Sequence, residues 1–308
     1  MNSAAANIGV RRASPRSFSQ LINRRECLGL LLASRCALAR QQQPKGVPPS
    51  KDWVCPMDPD YRSDKPGKCP RCGMTLVLHV PDRIEYPLEV TQSPELLRPG
   101  DTATLTFRVL NPATNQPVKH FEIVHEKLMH LFIVSENLGF FAHVHPVPQL
   151  DGSFVLKQQL PDGGMYRMLA DFYPSGSVPQ LAVDTLFVSG TSKHIDLLPS
   201  LAPSKSVNLT ASLRLEPAIP LAGLETKMFY TLQPGEGLQP YLGAWGHMLV
   251  ASADLVDMIH LHPFIANGSP DVQFNLTFPR PGLYRIWTQF QRQGEVNTVV
   301  FTVPVKAL

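Results

Sequence analysis

Beyond residue 80 the chain alternates short apolar runs with turn signals. Examples are Thr102–Val109, Leu128–Ser135 and Phe154–Leu160, then Lys227–Leu232, Val272–Phe278 and Leu283–Phe290. Many runs of this length, evenly spaced, predict roughly seven or eight strands in each half and a mainly β fold of two β-sandwiches. The 30 prolines agree, because loops and strand edges accept proline and helix interiors do not.

The two halves are copies. Met129-His130 through His143-Val-His145-Pro146 runs parallel to Gly246-His247 through His260-Leu-His262-Pro263, with every matched position 117 residues apart. Gly164-Met-Tyr166-Arg167 answers Gly282-Leu-Tyr284-Arg285, and Val183-Asp-Thr185 is matched to Val296-Asn-Thr298. The Gly-x-Tyr-Arg element resembles the tyrosine corner of immunoglobulin-like folds, and the remainder of the chain resembles duplicated immunoglobulin-like modules of secreted bacterial proteins. That resemblance gives Tyr166 and Tyr284 to the fold. The expected organisation is a signal peptide at 1–39, a linker at 40–50, a cysteine knuckle at 51–80, a first sandwich at 81–190 and a second at 205–308.

Charge changes the reading of the N-terminus. The first 39 residues carry six arginines against Glu26, so the whole-chain +3 leaves about −2 for the rest. No basic patch remains there for nucleic acid. Arg24-Arg25, the apolar run Cys27–Ala33 and Ala37-Leu-Ala39 form the three parts of an export signal. A disordered basic tail is the competing reading. The run is too short to span a bilayer, so no membrane span is expected after cleavage, and the location is periplasmic or secreted. The arginine pair hints at the twin-arginine route, against which Arg35 counts.

Cleavage leaves Cys55, Cys69 and Cys72, an odd number that reads more naturally as thiolate ligands than as a disulfide framework. Their Pro/Gly/Asp-rich surroundings hold too little apolar surface to fold alone, so a bound metal is the expected staple. Trp53 to Met74 resembles the heavy-metal-binding domain found in copper-transporting P-type ATPases and in the periplasmic adaptor subunits of copper and silver efflux pumps. The resemblance implies a transition metal ion (copper or zinc) and, as partner, a metal-transport or efflux component. The family reads C-P-M-H-P where this chain reads Cys55-Pro56-Met57-Asp58-Pro59. Asp58 would replace a nitrogen donor by a harder oxygen, which favours zinc over copper(I). Asp58, Met57 and His79 are the candidates for a fourth ligand.

The repeated histidines supply the other candidates. In a strand, His143 and His145 share one face, as do His260 and His262. A hairpin centred near residue 137 sets His130 opposite residues 143–145, and the same spacing applies to His247. Two three-histidine metal sites follow, His130/His143/His145 and His247/His260/His262, one in each hairpin. Plain polar surface is the competing reading. Residues 120–130 read as an insertion peculiar to the first copy that adds His120 and His125. Met129 and Met248 are expected in the core more than at a metal.

No cysteine occurs after Cys72, which excludes a blue-copper centre in the sandwiches. The nucleophile elbow, the phosphate loop and the dinucleotide fingerprint are also missing. A metal-binding protein, not an enzyme, is expected, with a metal-dependent hydrolase as the remote variant. The alternative is a partner-binding sandwich protein with a single structural zinc.

Overall fold

The computed structural model describes residues 53–56, 61–70, 73–78 and 84–308. The signal-like segment, the 40–50 linker, Met57, Asp58, Cys72 and His79 lie outside the described residues. Trp53–Val54 (β1), Arg62–Ser63 (β2) and Val77–Leu78 (β3) form a small antiparallel sheet in the order β2-β1-β3.

The first copy then runs through Leu88–Ser93 (β4), Thr102–Val109 (β5), Met129–Ser135 (β6), Phe141–Val144 (β7), Val147–Pro148 (β8), Phe154–Gln159 (β9), Gly164–Phe172 (β10) and Gln180–Val188 (β11). Its two sheets have the orders β4-β5-β9-β8 and β11-β10-β6-β7. The second copy comprises Ser204–Lys205 (β12), Thr210–Glu216 (β13), Glu225–Gln233 (β14), Leu238–Gln239 (β15), His247–Ser252 (β16), Met258–Leu261 (β17), Asp271–Thr277 (β18), Gly282–Arg292 (β19) and Glu295–Val305 (β20). Its sheets are β12-β13-β14-β18 and β15-β19-β16-β17, with β20 on the other side of β19. The fold is two β-sandwiches, as the pattern predicts, and the described residues contain no helix.

Each sandwich has its own core, with Phe107, Phe154, Tyr166 and Phe172 in the first and Tyr230, Phe274, Phe290 and Phe301 in the second. The tyrosine corners are present. The Tyr166 hydroxyl donates to the Asp162 carbonyl (2.9 Å) and the Tyr284 hydroxyl to the Arg280 carbonyl (2.9 Å). The pairing of Val183–Thr185 with Val296–Thr298 is corrected. Thr185 lies opposite Arg167 and Thr302 opposite Arg285, so the true counterpart of Thr185 is Thr302.

Strands β5 and β14 are buried on one face only, but β6 and β16 are buried at every residue. Their unbroken apolar runs, Leu131–Val134 and Met248–Ala251, are what a strand covered on both faces requires. Met129, Leu131 and Ile133 face the first core; Phe132 and Val134 face the other way. There they meet Leu249, Ala251, Leu255 and Trp287 of the second copy, and Phe141 stacks on Trp287 with ring centres 5.1 Å apart. The hairpin turns contribute too. Leu138 and Leu255, 117 residues apart, both hold positive φ (58° and 54°) and both sit buried in this seam. A branched residue in that conformation is uncommon; here it directs the side chain into the contact.

Phe132→Ala and Trp287→Ala are each expected to cost about 3–5 kcal/mol, the usual range for removing a buried aromatic. The shift of the denaturation midpoint checks this; a cost below 1 kcal/mol would mean that the seam contributes little.

Candidate metal centre

The alternation that sends Phe132 into the seam sends His130 there as well, and Leu249 likewise takes His247. In the first hairpin Leu131 pairs with Val144 and Phe132 with His143, a register that sets His145 opposite His130. In the second, Met248 pairs with Leu261 and Leu249 with His260, which sets His262 opposite His247. Both hairpins face the seam. Seven of the ten histidines therefore gather between the sandwiches: His125, His130, His143, His145, His247, His260 and His262. Polar surface is the wrong description of them.

Their hydrogen bonds fix which ring nitrogen is protonated. The His130 Nε2–H donates to the Val124 carbonyl (2.9 Å), so its Nδ1 carries the lone pair. The His143 Nδ1–H donates to Gln289 Oε1 (2.7 Å), which leaves the lone pair on Nε2. These two lone-pair atoms lie 3.0 Å apart, and His145 Nε2 is 3.2 Å from the same His130 nitrogen. One proton cannot serve all three. Tetrahedral bonding at ~2.0–2.1 Å requires ligand nitrogens about 3.3 Å apart, close to the spacing found.

The second cluster differs from expectation. The His247 Nε2–H donates to the Tyr241 carbonyl (2.9 Å), and His247 Nδ1 faces His262 Nε2 at 3.1 Å. The third nitrogen within reach belongs to His125 of the first copy, not to His260. The His260 Nδ1–H is instead held by the Asp171 carboxylate (2.8 Å), deep in the seam. The buried Nε2 atoms of His125 and His260 have no hydrogen-bond partner among the described residues.

The two outer contacts are reciprocal. Asp171 lies opposite His130 on β10, and Gln289 opposite His247 on β19. Each copy's edge histidine thus bonds the other copy's central strand. Asp171, Gln289 and the role of His125 escaped the sequence reading. The notion of an insertion at 120–130 is also corrected: the Val124–Lys127 bridge recurs as Tyr241–Ala244, 117 residues on. The two turns are equivalent, with Leu242 where the first has His125. Met129 and Met248 face the sandwich cores.

Burial first, then neighbouring histidines, lowers the pKa of these rings. His125 and His130 fall to about 4, His145 to about 3 and His143 to about 2, while His247 and His262 lie well below the ordinary value. At neutral pH these six are neutral, and their lone pairs are available.

At the knuckle, Cys55 and Cys69 are buried together with Met74, Leu76, Val124 and Tyr173. The Cys69 N–H donates to the Met74 carbonyl (2.7 Å) and the Gly73 N–H to the Cys69 carbonyl (2.8 Å), closing a tight turn with Gly73 at φ 75°. Thiolates in a small apolar cluster suit a soft metal ion.

Residues 83–187 and 205–307 each match a domain of unknown function, DUF8832, over more than half of the chain. The chain belongs to the DUF8832 family. The stretch 53–80, outside the DUF8832 copies, matches the heavy metal binding domain. No curated protein matches the chain. Among solved structures, the adhesin InvE of Yersinia pseudotuberculosis is similar at 10% identity and a TM-score of 0.24 over 71% of this chain; the match spans 60% of InvE. The fibronectin(III)-like modules of Clostridium thermocellum CbhA show 12% identity and a TM-score of 0.20, covering 71% of this chain and 95% of that one. Chicken CNTN1 FN1-FN3 domains show 9% identity and a TM-score of 0.21, covering 69% and 68%. Likeness this slight transfers nothing about binding to the DUF8832 copies. No helix among the described residues is long and apolar enough to cross a membrane.

The depressed histidine pKa values predict how the metal-free protein responds to acid. Below the unfolded value of about 6.5 the unfolded chain takes up protons that the folded seam refuses, so stability falls with pH. Above it the histidines add no pH dependence. The melting temperature in chelator should fall steadily from pH 6.5 to 5, before most carboxylates titrate. A flat profile in that window would contradict burial of neutral rings.

Proposed function

We propose that this is an exported metal-binding protein of the cell envelope, handling copper or a similar transition metal for sequestration, delivery or resistance. The convergence of three ring nitrogens, His130 Nδ1, His143 Nε2 and His145 Nε2, carries this reading. Neutral imidazoles bring copper or zinc to mind before magnesium or calcium. The heavy metal binding domain at 53–80 adds a thiolate site on the same molecule.

Three protein ligands leave a fourth position open, which suits an ion that has to be passed on. The outward nitrogens support the same role, since the Val124 carbonyl and the Gln289 amide hold two of the rings in their binding tautomers. Carriage, not catalysis, is the reading adopted, because the seam's carboxylate, Asp171, is engaged by His260. Export follows from the signal-like segment, and a metal-transport or efflux component remains the natural recipient.

The test is metal content. The mature chain from Arg40 onward, stripped with chelator and loaded separately with copper(I), copper(II) and zinc, should hold more than one ion. His143→Ala/His145→Ala should lose one of them and keep the knuckle ion. A stoichiometry of one, indifferent to these changes, would sink the proposal in favour of a single structural zinc.

A further inference from the structure

We propose that His125 makes the second histidine cluster a composite metal site, which neither sandwich holds alone and which depends on the cysteine knuckle docked behind it. The inference rests on the metal-handling reading above and assigns that reading a second, non-equivalent site.

One turn carries the argument. The Val124 N–H donates to the Lys127 carbonyl (2.9 Å) and the Lys127 N–H to the Val124 carbonyl (3.0 Å), with His125 and Glu126 at φ 46° and 65°. Two successive left-handed residues make the tight hairpin turn that leaves side chains little directional freedom. The Val124 side chain is buried among Cys55, Cys69, Met74 and Leu76 of the knuckle. Its carbonyl accepts the His130 Nε2–H of the first cluster. The next residue, His125, crosses to the second copy. Its ring centre lies 3.8 Å from that of His262 and 5.3 Å from that of His247. Four residues thus touch the knuckle and both clusters.

The duplicate of this turn is the built-in comparison. Tyr241–Ala244 has the same reciprocal hydrogen bonds (2.7 and 3.1 Å), and its Leu242 and Gly243 hold φ 50° and 75°. The Tyr241 carbonyl accepts the His247 Nε2–H as Val124 does for His130. The backbone hydrogen bonds repeat, but the side chains do not. In the turn backed by the knuckle the second residue is a histidine whose buried Nε2 has no partner among the described residues; in the other it is leucine. The first site therefore has three rings from one copy. The second has two rings from one copy and one from the other, with the His260 ring centre 4.6 Å from that of His262. Such an imidazole set takes copper(II) or zinc(II), beside a softer thiolate site on the other side of the same turn.

The experiment titrates zinc(II), and separately copper(II), into the chelator-stripped full chain, counting ions and measuring each affinity by calorimetry. His125→Leu is tolerable at this φ, as Leu242 shows, and His125→Asn suits the left-handed region; near-UV circular dichroism verifies the fold of both. Each should lose one ion and keep the knuckle ion and the His130/His143/His145 ion. Cys69→Ser should lose the knuckle ion and also weaken the His125-dependent site by ~10–100-fold, the usual effect of losing outer support at a metal site. Unchanged ion counts and affinities in both His125 variants overturn the composite site. Loss confined to the knuckle ion in Cys69→Ser overturns the dependence on the knuckle. If the wild type holds no ion that His143→Ala/His145→Ala removes, the metal-handling reading itself has failed.

Discussion

A buried imidazole must place its N–H on an acceptor, and that requirement organises the centre of this molecule. His130 and His247 each give their Nε2–H to a turn carbonyl; His143 and His260 give their Nδ1–H to Gln289 and Asp171 across the seam. Once these outward protons are fixed, the lone pairs of His130 Nδ1 and His143 Nε2 point at each other. The arrangement is costly without an ion. An unsatisfied buried polar atom costs about 1–3 kcal/mol, and the seam contains two such nitrogens besides the facing lone pairs of His130 and His143. The apolar part of the seam offsets this. Eight buried side chains, from Phe132 to Trp287, form its core, and a fully buried residue of the larger kinds contributes about 1.5–3 kcal/mol. The hydrophobic contact holds the histidines in place; the histidines do not hold the contact.

The chemistry lies at the edge of an ordinary packing problem. Strands β6 and β16 continue out of the apolar contact into the histidine cluster, so one alternation supplies Phe132 to the core and His130 to the site. The edge strands β7 and β17 end at Val144 and Leu261, and His145 and His262 stand just beyond the last paired residues, each followed by a proline, Pro146 or Pro263. Proline cannot donate to a ladder, so pairing stops where the ring nitrogens are needed.

Much of this was legible in the chain. The 117-residue offset revealed the duplication, and the His-x-His spacing correctly put His143 beside His145 and near His130. The tyrosine corners were readable from Gly-x-Tyr-Arg. What could not be read was the partner of each buried face. Unbroken runs such as Leu131–Val134 say that a strand is covered twice, but not by what, and without the seam the two hairpins looked like two independent sites. Asp171 and Gln289 were invisible because they sit in strands as ordinary polar residues, meaningful only opposite His130 and His247. His125 reads as part of an insertion because Leu242, at the equivalent position of the second turn, conceals the match.

Reciprocal contacts of this kind are what a symmetric dimer makes, with each surface facing its own copy. A true dimer of one repeat would have to carry the same residue on both sides: two aspartates or two glutamines, two histidines or two leucines at the turn. Joining the copies in one polypeptide removes that obligation. One copy can carry Asp171 where the other has Gln289, and His125 where the other has Leu242, without either choice being imposed twice. Covalent linkage thus gives a two-fold architecture the freedom to be chemically lopsided.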